Sequence, residues 1–381
     1  MTTQEHAASV MDLVRGKGAT GDLIIDEGQS LSLKARDGDL EEYKVSSRQV
    51  FGLRVIKDGR VGTAYSEADD AGALTSIVDQ ALTNASFARE EEHEAILPDS
   101  GELKTDDALL HPVEDVAIDD KIELALFVER ELASRDKITS VPYNGVYESS
   151  GQRQVFTSSG MSALSRSRSC VCYAHAVAED GDQNAMEGTG QKSRLFRNLD
   201  GALIVDKAHR ACLDILDGKP VPGKHYDVIF DEETQTSLFD VFASMFSGKS
   251  AKDGVNPMRE KVGEVIADPR LTVRDCPLLV DGHGYALFDA EGTATQTTPL
   301  VVDGKLETLV HNSATASHFG LQTTGHASRS PRSTLGVSLH QMEIPAGSDD
   351  VASLTAGEYL ELTDLTGLHS GGNAISGDFS F

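Results

Sequence analysis

The chain has no tryptophan, only four cysteines in 381 residues, and far fewer basic than acidic side chains. Each scarcity excludes something. Four cysteines cannot build the dense disulfide framework of a small secreted scaffold. Cys170 and Cys172 lie two apart in a strand-like run and share a face, with His175 on the other face. A zinc site there needs more ligands, so two packed thiols are expected. Lysine plus arginine number 34 against 61 aspartate plus glutamate, a formal charge of −27. Nonspecific nucleic-acid affinity comes mostly from cation–phosphate contacts. With no Lys/Arg cluster standing out, the chain is expected not to bind nucleic acid directly, and its charge reads as solubility. No run approaches the ~18 apolar residues of a spanning helix. Residues 1–14 carry Glu5, His6 and Asp12 and lack the basic start and apolar stretch of a signal peptide. A cytoplasmic protein, free of the membrane, is expected.

What is present is globular: 39% hydrophobic residues and 35 glycines, in a chain long enough for two domains with real cores. Val10, Met11, Leu13 and Val14 mark a first helix closed by Gly16 and Gly18. Strand-like segments follow at 22–27, 30–34, 41–46, 50–57 and 61–66. Asp37-Gly38 and Asp58-Gly59 stand between them, and Asp-Gly suits a type I′ hairpin, in which both central residues take φ > 0. An antiparallel meander is therefore expected. Leu74, Ile77, Val78, Ala81 and Leu82 form one stripe of a helix over 69–87. A loop is expected over 89–111. A second helix is read over 117–134 with Ile118, Ile122, Ala125, Leu126 and Leu132 inward. Strands follow at 139–148, 152–157 and 162–179. A third helix over 200–216 points Leu203, Ala208, Ala211, Cys212 and Ile215 inward.

Residues 217–224 hold two prolines and two glycines and read as a linker. They divide an N-terminal domain (1–216) from a C-terminal one (225–381). The second opens with a strand at 226–230 and a helix over 232–246, N-capped by Asp231 and with Leu238, Val241, Phe242 and Met245 as its core face. The fold class is α+β: an N-terminal antiparallel sheet with packed helices, then a β-rich, barrel-like domain.

Several catalytic signatures fail. His93-Glu94 begins like a zinc-peptidase helix, but Leu97 and Pro98 stand where the second histidine belongs. An acidic solvated loop is expected there. Gly248-Lys249-Ser250 lacks the first glycine and the preceding strand of a phosphate loop. Gly282-His283-Gly284 is no dinucleotide fingerprint. Ser159 and Ser370 lie near glycines, with nothing to fix a base beside them, and no Gly-x-Ser-x-Gly elbow occurs. His311 and His318, seven apart, are the nearest approach to a histidine pair. No catalytic or metal-ligating residue is assigned.

The second half carries a distinctive succession: Asp281-Gly282-His283-Gly284, then Asp289-Ala290-Glu291-Gly292-Thr293-Ala294-Thr295-Gln296. Leu300-Val301-Val302-Asp303-Gly304-Lys305-Leu306 and His311-Asn312-Ser313-Ala314-Thr315-Ala316 follow. It closes on Gly371-Gly372-Asn373-Ala374-Ile375-Ser376-Gly377-Asp378-Phe379-Ser380. Earlier come the weaker Gly18-Ala19-Thr20, Arg36-Asp37-Gly38-Asp39-Leu40-Glu41, Gly52-Leu53-Arg54-Val55 and Gly59-Arg60-Val61-Gly62-Thr63-Ala64. This series resembles the TldD/PmbA family, the so-called modulators of DNA gyrase, which are peptidase subunits.

Metal-bearing members carry His-Glu-x-x-x-His on a helix that matches 232–246, where this chain has no histidine. A late cysteine that completes their site lies beyond Phe381, and relatives continue with further strands, so a C-terminal truncation is expected. The resemblance, with Phe246-Ser247-Gly248-Lys249-Ser250, implies the PmbA (TldE-like) branch. It implies no cofactor in this chain, with zinc only in a TldD-like partner. It also implies a dimer that cuts unfolded peptides, held as extended strands at a sheet edge. The alternative is a non-catalytic, homodimeric peptide-binding or chaperone-like module. Asp289, Glu291, Gly292, Thr295, Gly377 and Asp378 are candidates for a face turned to a groove or partner. Their competing reading is turn chemistry: carboxylates capping backbone N–H groups and Gly292 supplying φ > 0.

Overall fold

The computed structural model describes residues 2–378 apart from 99–101, 104, 217, 366, 374 and 377. A helix α1 (Thr3–Gly16), capped by a reciprocal Thr2/Glu5 box, leads into strands β1 (Thr20–Arg36), β2 (Asp39–Lys57) and β3 (Arg60–Ser66). Both turns take the left-handed conformation expected of Asp-Gly, with φ of 54° and 80° at Asp37 and Gly38, and 50° and 71° at Asp58 and Gly59. Helix α2 (Ala71–Phe87) starts at the Asp70 cap. The expected loop over 89–111 holds the two-residue strand β4 (Glu102–Leu103) and the short helix α3 (Asp107–Leu110). Then come α4 (Ile118–Ala133), β5 (Ile138–Thr157), β6 (Ser162–Asp180), β7 (Gln183–Ser193) and α5 (Gly201–Leu216).

These strands form a seven-stranded sheet in the order β3-β2-β1-β5-β6-β4, with β7 also paired to β6. All pairs are antiparallel except β4 with β6. The expected short strands merge into long ones. Gly28, read as a break, sits in unbroken register with Arg48 on one side and Gly151 on the other.

One face of the sheet carries both helix pairs. Along β1, Leu23 and Ile25 pack against α1 and α2, while Leu33 joins the α4/α5 core. These odd positions point the same way because side chains alternate along a strand. Cys170 and Cys172 are free, buried thiols, and burial pushes the Cys172 pKa up to about 12. Three inward assignments need correction. Ile118 is exposed on α4, where Val128 takes its place, and Leu203 and Ile215 are exposed on α5, whose stripe is Ile204, Val205, Ala208, Cys212 and Leu216. Ala125, Leu132, Ala208 and Cys212 are buried as expected.

Residues 218–226 form neither helix nor strand. Beyond them lie β8 (Asp227–Phe230), α6 (Glu232–Phe242) tightening into a 3₁₀ turn over Ala243–Phe246, α7 (Gly248–Lys252), β9 (Val273–Asp275), β10 (Thr298–Val302) and β11 (Lys305–Leu306). Helix α8 (Ser313–Phe319), β12 (Ala327–Ser328), β13 (Gly336–Val337), β14 (Met342–Glu343) and β15 (Tyr359–Leu362) follow. The strands make a four-stranded sheet β11-β10-β9-β14 and two pairs, β12-β13 and the parallel β15-β8. Barrel-like describes this only loosely: among the described residues the small sheets do not close on one another. The fold as a whole mixes α and β around one large, mainly antiparallel sheet. The sheet's second face receives this half, with Ile24, Val155, Met161 and Ala163 packing against Phe288. No helix among the described residues is long and apolar enough to cross a membrane.

Candidate functional site at the junction of the two halves

The helix that would carry a catalytic metal forms where expected. Asp231 caps it, accepting the Thr234 N–H at 2.7 Å. From Glu232 to Phe246 it offers neither imidazole nor thiol. Cys276 follows β9, but its thiol donates to Glu343 Oε2 at 3.1 Å, and burial followed by that carboxylate raises its pKa to about 11. A cysteine binds zinc as the thiolate. The residues at this position therefore do not fit a hydrolytic zinc.

The segment 289–295 is a buried turn. Asp289 Oδ1 accepts the Glu291 and Thr293 N–H groups, both at 2.9 Å, and Oδ2 accepts the Ala327 N–H at 2.9 Å. Burial raises the Asp289 pKa, and these three N–H groups oppose the rise. Gly292 has φ of 81°, and an added Cβ there would stand 2.8 Å from the Met161 methyl. Thr295 donates to the Ala286 carbonyl at 2.5 Å. Glu291 accepts from the Ser313 hydroxyl at 2.5 Å and the Ser313 N–H at 2.9 Å. Thus Asp289, Glu291 and Thr295 spend their polar atoms inside the protein. Asp378 is exposed, its carbonyl accepting from the Asn373 N–H at 2.8 Å. Gly377 lies outside the described residues.

Glu291 belongs to a charge cluster that joins the two halves. Arg54, on β2, lies directly across from Asp22 on β1, and their side chains meet at 2.5 Å. Arg54 also reaches Glu94 at 2.8 Å and Glu291 at 3.8 Å. Arg329 pairs with the second Asp22 oxygen and donates to the Gly52 carbonyl at 2.9 Å. Burial lowers the Arg329 pKa to about 10, still charged at neutral pH. Gly52 lets this happen: an added Cβ would sit 2.0 Å from the Pro331 carbonyl oxygen. Sequence reasoning missed the cluster. Its one signal was a charged residue inside each of the apolar runs 22–25 and 51–56.

A second group is Asp275, His326 and His340, whose ligand-type atoms lie within 4.8 Å of one another. Sequence separation hid them. Asp275 Oδ2 meets His326 Nε2 at 2.9 Å, and Oδ1 accepts the His340 and Gln341 N–H groups at 2.9 and 2.8 Å. His326 Nδ1 lies 2.9 Å from the Thr324 carbonyl, and His340 Nε2 lies 2.8 Å from that of Gly325. These residues have the chemistry to hold a metal. Asp275 and His326 are fully enclosed, however, whereas hydrolysis needs a coordination position open to water and substrate.

His311 and His318 do not converge. His311 is buried against Thr315 and Phe319, while His318 meets Phe319 and His93 edge to face, the latter 5.3 Å away. His93, expected in a solvated loop, thus contacts the C-terminal half. Ser159 hydrogen-bonds Thr157 and the Leu97 carbonyl, with no histidine beside it.

The junction also holds a cleft of about 280 Å³ between β6, the end of β7 and residues 283–288, lined among others by Arg166, Arg168, Lys192, Arg194, His283 and Tyr285. In so acidic a chain this concentration of positive charge stands apart.

Known proteins match this chain over nearly its whole length. Models of the PmbA/TldA metallopeptidase family match in chain order: domain 1 at 21–85, the central domain at 111–212 and the C-terminal domain at 222–381. The metalloprotease PmbA of Escherichia coli O157:H7 is 27% identical over 99% of this chain and 82% of its own. A Thermotoga maritima protein bearing the name of a DNA gyrase modulator superposes with a TM-score of 0.87 at 21% identity, covering 99% of this chain and 86% of its own. TldE from Thermococcus kodakarensis gives 0.81 at 21% identity, covering 94% and 83%. Three family domains in order, near-complete coverage and a shared fold lead to one conclusion: the chain belongs to the PmbA/TldD metallopeptidase family.

Proposed function

We propose that the chain is the PmbA/TldE-like, non-metal subunit of a metallopeptidase that degrades or processes unfolded peptides. The observation that carries this is the helix over 232–246, which is capped by Asp231 and has no histidine or cysteine to bind a catalytic zinc. Zinc and the activated water then belong to a histidine-bearing, TldD-like partner. This chain's share is to complete the peptide cleft and hold the substrate extended. Extended binding at a sheet edge reads backbone rather than side chains, which admits unfolded peptides of varied sequence and excludes folded proteins.

Co-purification with a TldD-like partner, followed by peptide digestion, tests the reading. The expected outcome is a complex that cleaves unfolded peptides and loses activity to chelator, with no cleavage by this chain alone. Robust cleavage by the lone chain, or full activity of the partner without it, overturns the assignment. A homodimer that binds peptides and accepts no partner would favour the non-catalytic alternative.

A further inference from the structure

Between its two strand partners the edge of β6 is flanked by α3 and the residues after it, which reach Arg166 and Arg168 through Asp107 and the Pro112 carbonyl. β4 pairs with Ser162 and Ala163, and β7 begins to pair at Cys170. Among the described residues no strand lies against 164–169 on that side, while β5 covers the other side throughout. Six extended residues span about 20 Å, and the cleft of about 280 Å³ lies along this stretch.

Its charges do not balance. Arg166 meets Asp107, Lys121 meets Glu148, and Arg168 meets Glu148 at 2.9 Å and Glu114 at 3.4 Å. Three carboxylates thus answer three cations. Arg194 adds a fourth positive charge whose guanidinium donates only to carbonyls, Val280 at 3.0 Å and Gly282. Lys192 adds a fifth, whose ammonium has no partner among the described residues. Lys192 stands opposite Val171. Directly opposed residues share a face, so Lys192 shares its face with Ser165, Ser167 and Ser169. His283 reports the same field: burial lowers its pKa first, then Lys192 and Arg194. Tyr285, Leu287 and Phe288 supply an apolar wall.

We propose that this cleft binds an acidic peptide segment, a carboxylate of which meets Lys192 and Arg194. The inference rests on the peptidase-subunit reading and narrows it. The carboxylate is either a peptide C-terminus or an aspartate or glutamate side chain, which share the same chemistry.

The test titrates the full chain with a labelled, unstructured peptide containing glutamate near a free C-terminus, read by fluorescence anisotropy. The same peptide is also prepared with an amidated end, with glutamine for glutamate, and with both changes. Lys192→Glu is compared with Lys207→Glu, an equal charge change on the exposed face of α5. Loss of one charged contact should weaken binding on the order of 10-fold. That loss is expected for the doubly neutral peptide and for Lys192→Glu with the acidic one, and not for Lys207→Glu. Loss on amidation assigns the C-terminus, and loss on the glutamine change assigns the side chain. Equal affinity for all four peptides, equal behaviour of the two variants, or no binding of any peptide overturns the proposal. The parent reading fails separately, when no complex with the TldD-like partner forms or cleaves. A complex that cleaves acidic and neutral peptides equally, with or without Lys192→Glu, refutes the cleft alone.

Discussion

Arg54 of the N-terminal sheet and Glu291 of the C-terminal turn approach to 3.8 Å in the protein interior, both almost wholly buried. Asp22 and Arg329 complete the bridge, so each half supplies one cation and at least one carboxylate. Removing one member leaves its partners charged without water. Such an uncompensated buried charge costs about 3–5 kcal/mol. Arg54→Met should therefore lower the urea midpoint strongly, and it should loosen the junction as well as the fold. Limited proteolysis near 218–226 should accelerate in the variant. An unchanged midpoint would show that the cluster contributes nothing net.

Gly52 makes the second contact between the halves possible. An added Cβ would fall 2.0 Å from the Pro331 oxygen and 2.3 Å from the Pro331 Cα, both backbone atoms that cannot swing aside. Gly52→Ala should push the 329–331 segment off β2 and weaken the Arg329 donor to the Gly52 carbonyl. Overpacking of this kind typically costs 1–3 kcal/mol. Thermal unfolding measures it, with Gly18→Ala as a poor control because φ there is 69°. Gly16→Ala meets nothing within 4 Å and is the better one.

The sequence announced its hairpins and helices because their signals are local: Asp-Gly pairs, an Asp70 cap, a stripe from Leu74 to Leu82. It was silent on β7. Gln183–Ser193 is polar and glycine-rich, and it forms a strand only because β6 offers an edge and Gly188 lets the backbone pass His175. The charge cluster and the Asp275–His326–His340 group escaped for a different reason. Their members lie tens to hundreds of residues apart, and only tertiary packing brings them together. Asp289 and Gly292 were legible as turn residues, and their turn-forming alternative describes the hydrogen bonds observed. The vacancy of histidine in the helix over 232–246 was the plainest signal, being an absence visible in one segment.

His311 sets an acid limit on stability. Burial lowers its pKa to about 4 from an ordinary value of 6.5, with His326 adding to the effect. The unfolded chain therefore takes up the proton first. The sign follows: stability is intact above pH ~6.5, falls as pH drops, and has lost this contribution by pH ~4. Asp289 and Glu291, whose pKa values are raised by burial, act in the opposite sense and soften the loss. Urea midpoints measured between pH 7 and 4 should fall for the native chain. The slope between 6.5 and 4 should flatten in His311→Asn, and an identical slope in the variant would rule out His311 as the group responsible.

Purified without a histidine tag, the chain should carry substoichiometric zinc. Of the two places where a metal could matter, the helix over 232–246 has neither imidazole nor thiol to offer. The Asp275–His326–His340 group already satisfies itself: Asp275 takes one imidazole and two backbone N–H groups, and each histidine also faces a carbonyl. A metal there would have to displace the proton between Asp275 and His326, both of which are fully buried. Elemental analysis before and after chelator decides the point, repeated on His326→Gln. A stoichiometric metal present in the native chain and lost in His326→Gln would assign a structural ion to that group. Zinc that persists in His326→Gln and supports cleavage by the lone chain would instead overturn the division of labour proposed for the two subunits.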